Sequence, residues 1–374
     1  MDAGISRLTK PPSGAGNVFS GRRVLITGHT GFKGSWLAFW LARLGADVTG
    51  FSLAPPTNPN LFDAVRLENH VRHLEGDVRD LVGLASAWAE CSPEIVFHLA
   101  AQSLVRESYS DPLTTIQTNI LGTANLLDIA RTSRTPVGMV LVTSDKCYEN
   151  RETTVGYRET DPVGGHDVYS MSKGAAELLI SSYRRSFFSS GSGEAPHVSV
   201  ASARAGNVIG GGDWASDRIV PDCIRALQTG APIEVRHPNA VRPWQHVLEP
   251  LSGYLALGSL LLAPGSSDAA MASEAWNFGP GEHNSSSVRE LVERIVAGWG
   301  SGQWLDKSSA SHPHEATMLR LSIDKAEELL NWHPRWDFDR TVSRTVEWYR
   351  GFYSGDDMAA WCDRQIDEYC EENS

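Results

Sequence analysis

The sequence predicts an α/β fold with a doubly wound parallel sheet, followed by a smaller mixed α/β region, and three observations carry that reading. Short apolar runs alternate with segments of helical period from Arg22 onward. A glycine triad closes the first strand, in VLITGHTGFKGSW. The alternation stops after Arg204, at the glycine-rich stretch NVIGGGDW. In such a sheet, ligands lie beyond the carboxyl ends of the strands.

Strands are placed at Val24–Gly28, Asp47–Ser52, Val71–Gly76, Ile95–His98, Met139–Thr143 and Val198–Ala203. Helices are placed between them at Gly34–Leu44, Leu81–Cys91, Leu113–Arg131 and Tyr169–Phe187, the third opening on Asp111-Pro112, a pair suited to a helix start. Beyond Arg204, helices are expected at Asp217–Gln228, near 250–262, from Ser287 to Ala297, and near 323–331 and 339–352. The expected organisation is a loose tail over 1–20, a dinucleotide-binding region over 21–205 joined by 244–275, and a second region of 206–243 and 276–352. The end, 353–374, receives no role.

Composition narrows the function. The 374 residues carry 33 Lys and Arg against 45 Asp and Glu, a net charge of −12. That balance argues against a nucleic-acid surface, which rests on clustered cations. Five scattered cysteines without a CxxC pair suggest neither a disulfide framework nor a metal site, and a reducing cytoplasmic setting fits them. No apolar stretch is long enough to cross a bilayer.

The glycines Gly28, Gly31 and Gly34 sit between an apolar strand and an amphipathic helix. There they let backbone amides approach a pyrophosphate at a helix N-terminus, beyond what a plain strand-to-helix turn requires. The next strand ends at Ser52 without a carboxylate for ribose hydroxyls and without a cation for a 2′-phosphate. On that charge argument NAD is preferred to NADP, for which Lys33 or Arg43 would have to reach. Asp77 either accepts from adenine or caps the following helix.

Tyr169 and Lys173, in YSMSK, share one helix face. A tyrosine of ordinary pKa, about 10, serves as a base for an alcohol proton only if a cation lowers it. Upstream, TSDK places Ser144, Asp145 and Lys146 at a strand's carboxyl end, as a hydrogen-bond donor, an acid and a base. Each motif alone has a bland reading: an exposed Tyr–Lys pair, or a polar turn. Their order along one chain favours a joint site.

Through TGHTGFKG, FHLAAQ, Asn119 in QTNILGT, SDK, YSMSK, ARAGNVIGGGDW and RPWQHV, the chain resembles the extended short-chain dehydrogenase/reductase family over residues 21–350. It is most similar to the sugar-nucleotide 4,6-dehydratases, and TSDKCY, VRPWQHV, PHEA at 313–316 and WHPRW at 332–336 resemble those acting on CDP-glucose. The resemblance implies a Rossmann-type fold, bound NAD, and conversion of CDP-glucose to the 4-keto-6-deoxy product through C4 oxidation, loss of water across C5 and C6, and return of hydride to C6. It assigns Tyr169 to the 4-hydroxyl proton, Lys173 to the cofactor ribose and the Tyr169 pKa, Ser144 to the 4-oxygen and Asp145 to the departing 6-hydroxyl. Lys146 stands where a glutamate base is usual in the family, and acts either as C5 base or as enolate partner.

The resemblance further implies cofactor contacts from Phe32, Ser52, Asp77, Val78, Leu99, Ala100 and Ala101, and substrate contacts from Gln102, Ser103, Asn207, Arg218 and Arg242. Arg242 is preferred to Arg218 as the diphosphate clamp. His98 is read as a strand-end residue bonded to backbone, Asn119 as a support for the neighbouring helix, and Trp214 and Trp244 as stacking or packing groups. The resemblance also implies a homodimer or homotetramer, paired through Leu113–Arg131 and Tyr169–Phe187. A 4,6-dehydratase of another nucleotide sugar, a sugar-nucleotide 4-epimerase, which needs no acid at the strand end, and a non-catalytic NAD sensor are the alternatives.

Overall fold

The computed structural model describes residues 18–188, 197–281, 285–308 and 319–371. Most of the expected tail and the PHEA segment lie outside them. The first six strands are β1 (Arg23–Thr27), β2 (Asp47–Ser52), β3 (Arg72–Glu75), β4 (Ile95–His98), β5 (Val137–Val142) and β6 (Val198–Arg204). The helices among them are α1 (Phe32–Arg43), α2 (Leu61–Ala64), α3 (Leu81–Cys91), α4 (Val105–Ser110), α5 (Pro112–Ile116), α6 (Gly122–Thr132) and α7 (Val168–Phe187).

Beyond β6 the strands are short: β7 (Val208–Ile209), β8 (Ile233–Val235), β9 (Val241–Pro243), β10 (Gln245–His246), β11 (Ala275–Asn277), β12 (Ser285–Ser287) and β13 (Trp304–Asp306). The accompanying helices are α8 (Ile219–Thr229), α9 (Leu248–Leu261), α10 (Ser267–Ala272), α11 (Val288–Trp299), α12 (Asp324–Leu330), α13 (Phe338–Ser354) and α14 (Met358–Glu371).

Seven strands form one sheet in the order β11-β6-β5-β4-β1-β2-β3, and every pairing is parallel. The expected doubly wound α/β fold is therefore present. Both faces are covered, which is why the strands read as near-continuous apolar runs. Along β1, Val24 and Ile26 enter the core that contains Trp36 and Trp40 of α1 and Leu251 of α9. Leu25 faces the opposite core, with Leu84 of α3 and Leu126 of α6.

Three differences from the expected elements matter. The single helix expected over Leu113–Arg131 is divided by a π turn at Gln117–Leu121. Asn119 lies buried inside that turn and bonds to Gln102 O and Ser172 Oγ at 3.0 and 2.9 Å. β11, within the WNFGP run, joins the main sheet beside β6. The end of the chain forms α14, whose Met358, Cys362, Ile366 and Tyr369 are buried. It meets α1 where Arg43 pairs with Asp363 at 3.0 Å and with Asp367.

Candidate active site

β1 ends at Thr27 and the chain turns at Gly28, whose φ is +79°. A Cβ at Gly28 would stand 2.6 Å from Ala100 N, and one at Gly34 would stand 2.0 Å from Gly28 O. Only glycine lets the turn, the end of β4 and α1 meet so closely. Gly31 is the N-cap of α1 and offers its amides no side chain. Those donors, with the helix's partial positive charge, are left for an anion. The cradle that any Cβ would fill fits a dinucleotide.

At the neighbouring strand ends, Thr30 and Ser52 hydroxyls lie 2.8 Å apart. Asp77 accepts from Arg79 N and Nη2 at 2.8 and 2.6 Å. The Arg79 guanidinium holds the Asp77 carboxyl below its ordinary pKa. Asp80, through Val82 N at 3.0 Å, caps α3 in its place. Lys33 donates to Tyr254 OH at 3.4 Å and Arg43 is engaged with α14, so neither cation stands at the end of β2.

The candidate catalytic groups meet where α7 crosses the end of β5. Asp167 caps α7 through Ser170 N at 2.9 Å. Gly174 presses the helix against the preceding loop, since a Cβ there would come 2.6 Å from Gly164 O. Ser144 donates to Asp145 Oδ1 at 2.9 Å and accepts from Lys146 N at 3.3 Å. Asn207 donates to Asp145 Oδ2 at 3.4 Å. Gly206 leaves room for that carboxylate, because a Cβ there would lie 1.9 Å from Asp145 Oδ2. Ser144, Asp145, Tyr169 and Lys173 are all buried. Lys146 is exposed in the cleft.

Burial pushes the Tyr169 phenol up to about 12; a hydrogen bond with Ser144 and the charge of Arg218 pull it back, while Asp145 raises it further. Lys173, one turn along α7, acts on His98 and lies near Cys147 and Glu177. Burial brings Lys173 itself down to about 8, against the raising effect of Cys147 and Glu177. Lys33 falls to about 7 through burial and the charges of Lys173 and Arg218.

A cleft of about 1790 Å³ runs from the glycine turn past this cluster to α8, β8 and β9. Every residue singled out from the sequence as a cofactor, substrate or catalytic contact lines it, except Asp77. Gln102 is fixed by Asn119 Oδ1 at 2.9 Å and Thr115 Oγ1 at 3.0 Å. Arg218 bonds Asp213 Oδ2 at 2.8 Å and Ser103 Oγ at 3.0 Å, and it faces Tyr169. Arg242 Nη1 donates to Val241 O at 3.1 Å.

Trp214 and Trp244 are both packed and both line the cleft: Trp214 lies among Trp348, Tyr349 and Phe352, and Trp244 donates to Ser286 O at 3.2 Å. His98 is a buried strand-end residue, bonded to the side chains of Thr27 and Thr123 at 2.6 and 3.2 Å rather than to backbone. The sequence reading missed Asp213, which orients Arg218, and Asp217, which Arg106 and Arg236 approach at 3.0 and 3.7 Å. It also missed Glu177, although the spacing 169, 173, 177 places that residue on the Tyr–Lys face.

With this geometry in view, a family model described as GDP-mannose 4,6 dehydratase matches residues 25–345. The chain belongs to that family. A CDP-glucose 4,6-dehydratase of Salmonella typhimurium is 48% identical over 94% of this chain and 97% of its own length. Among solved structures, an epimerase of Methanothermobacter thermautotrophicus has a TM-score of 0.75 at 23% identity, covering 90% of this chain and 95% of that one. A Thermus thermophilus UDP-glucose 4-epimerase, solved in complex with NAD, has a TM-score of 0.71 at 25% identity over 88% and 99%. Among the described residues, no helix is long and apolar enough to cross a membrane.

Proposed function

We propose that the chain converts CDP-D-glucose to CDP-4-dehydro-6-deoxy-D-glucose and water. The observation that carries this reading is the buried cluster of Ser144, Asp145 and Tyr169 facing one cleft, with a carboxyl acid beside the base. The 48% identity to a CDP-glucose 4,6-dehydratase supports the substrate.

NAD, held by Gly28, Gly31, Phe32, Gly34, Ser52, Val78, Leu99, Ala100, Ala101 and Lys173, supplies when bound a two-electron acceptor at C4 that is restored at C6. NADP is disfavoured, because Arg79, the cation near the β2 and β3 ends, is engaged by Asp77. Tyr169 takes the proton of the 4-hydroxyl, and Ser144 donates to the 4-oxygen. With C4 a carbonyl, the C5 proton passes to Lys146 or to solvent at the cleft, the C6–O bond breaks, and Asp145, protonated at that step, gives its proton to the departing hydroxyl to make water; a proton returns to C5 by the same route as hydride returns to C6. Lys146, exposed in the cleft, keeps both roles in this reading: acceptor of the C5 proton or partner of the enolate oxygen. Gln102, Ser103, Asn207, Arg218 and Arg242 hold the sugar nucleotide, and the effect of the Arg218 charge on Tyr169 supports Arg218 as the one nearer the ring.

Residues 21–205 with 244–275 form the cofactor side of this reading, and 206–243 with 276–352 the nucleotide side. Exposed Leu113, Leu121, Leu178 and Phe187 on α5 to α7 support pairing with a second copy. The test of the whole reading is a panel of CDP-, dTDP-, UDP- and GDP-glucose with NAD, assayed for product absorbing in alkali. CDP-glucose is expected to give 4-keto product. CDP-galactose in its place overturns the reading in favour of an epimerase, and no turnover of any donor favours a sensor.

A further inference from the structure

One turn beyond Lys173 on α7, Glu177 is fully enclosed, and its carboxylate makes three bonds that fasten separate parts of the fold. It accepts from Thr143 Oγ1 at 2.5 Å, from Ser202 Oγ at 2.8 Å and from Arg204 Nη2 at 2.7 Å. Thr143 immediately precedes Ser144 and Asp145 on the chain. Arg204 in turn donates to Tyr148 OH at 2.6 Å, and Tyr148 OH donates to Asn277 Oδ1 at 2.7 Å. Asn277 belongs to β11 and donates to Tyr157 O and Ser322 O at 2.8 and 3.0 Å. A buried ion pair is a poor source of net stability, because desolvation opposes the attraction. Its value lies in fixing geometry and local charge.

We propose that Glu177 is a positioning residue for the reaction, holding the end of β5 against α7 so that Ser144 meets Tyr169, and keeping the Lys173 ammonium protonated through its negative charge. Among the described residues, the titratable groups facing Lys173 include Lys33 from α1, His98 from β4, Cys147 from the loop after β5, and Tyr169 and Glu177 from its own helix. Lys33 opposes the charge on Lys173, His98 is held neutral by burial, and the Cys147 thiol is raised by burial. Glu177 is the one held as a carboxylate, by Arg204 together with Thr143 and Ser202. The inference rests on the reading of Lys173 and Tyr169 given above.

The chain has six lysines (Lys10, Lys33, Lys146, Lys173, Lys307 and Lys325), so selective 13Cε labelling of the NAD-free protein resolves Lys173, assigned by its loss in Lys173→Met. Glu177→Gln keeps the shape and removes the charge. The Lys173 titration midpoint is expected to fall by about one pH unit in that variant, as loss of a nearby opposite charge requires, and to return toward the wild-type value in Glu177→Asp. An unmoved midpoint in Glu177→Gln overturns the electrostatic half of the proposal. Thr143→Val, which removes one hydrogen bond and no charge, tests the other half in the NAD-loaded enzyme and stands if Glu177→Gln does not fold. Its kcat is expected to fall about threefold to tenfold, the loss of one buried hydrogen bond, with KM for CDP-glucose unchanged and the midpoint unmoved. An unchanged kcat overturns the positioning half. Absence of 4-keto product from the wild type overturns the assigned reaction instead, and the lysine titration still decides the charge effect.

Discussion

The two ends of the cleft are built on different principles. At the reacting end, Ser144, Asp145, Tyr169 and Lys173 are buried, lie on two consecutive structural units, and are locked by glycines that admit no Cβ. At the nucleotide end, Arg106, Asp217, Arg218, Arg236 and Arg242 come from α4, the loop before α8, and the β8–β9 segment, and their charges face one another across partly exposed ground. Low dielectric makes misplacement costly at the first end, while solvent tempers the second. On the proposed reading, chemistry is fixed locally and recognition is assembled from distant segments.

The widest gap between the ends is predicted for Tyr169→Phe. Loss of the general base is expected to lower kcat for 4-keto product by about 10²- to 10⁴-fold, with the melting temperature close to wild type. The wild-type pH profile carries the same signature. Because burial holds Tyr169 near about 12, its base form grows as pH rises, so activity climbs from pH 6 toward 8. It falls again as Lys173, which burial brings to about 8, loses the proton it offers the cofactor ribose in the proposed reading. A flat profile over pH 6 to 9 would break the assignment of Tyr169 as base.

Next in size is Gly206→Ala. The new methyl would overlap Asp145 Oδ2, and displacement of a reacting group by about 1 Å costs on the order of 10²-fold in rate. Steady-state assays should show that loss in kcat with an unchanged KM. An active Gly206→Ala enzyme would show that the carboxylate position is not critical, and the contrast between the two ends would weaken.

Much of the reacting end was legible because its cues are local. Six strands read as apolar runs, and the glycine triad, TSDK and YSMSK each sit inside one unit. What escaped depends on partners far along the chain. The π turn at Asn119 is held by groups 17 and 53 residues away, so no local propensity announces it. β11 is three residues long and gains its place only by pairing with β6. Asp77 and Asp80 look alike as helix caps in sequence, and only the backbone direction at β3's end chooses Asp80. Asp213 and Asp217 matter through arginines that no spacing rule connects to them.

The arginines of the nucleotide end supply a smaller effect and a finer distinction. Hydrogen bonds to charged groups are worth about 1.5–3 kcal/mol, so Arg242→Met is expected to raise KM for CDP-glucose about tenfold to a hundredfold with kcat within about threefold. Arg218→Met should raise KM similarly and also lower kcat, because Arg218 helps pull down the Tyr169 pKa. Equal kcat effects from the two variants would remove Arg218 from the neighbourhood of the reacting oxygen.

The smallest effect is predicted where two arginines share one carboxylate. Asp217 draws Arg106 and Arg236 from opposite walls of the cleft, at 3.0 and 3.7 Å, and its side chain is 44% exposed. Exposed pairs of this kind contribute about 0–1 kcal/mol and weaken with salt. Removing the negative charge in Asp217→Asn leaves both guanidiniums free to attract the diphosphate, so the two consequences oppose each other: looser walls raise KM, stronger net positive charge lowers it. The expected outcome is a KM within about twofold of wild type at physiological ionic strength, with a steeper rise in KM as salt is added. Measuring KM at low and high salt in both proteins checks this. A large, salt-independent loss in Asp217→Asn would mean that this pair is as structurally fixed as the reacting cluster, and the division between a locked end and a solvent-tempered end would fail.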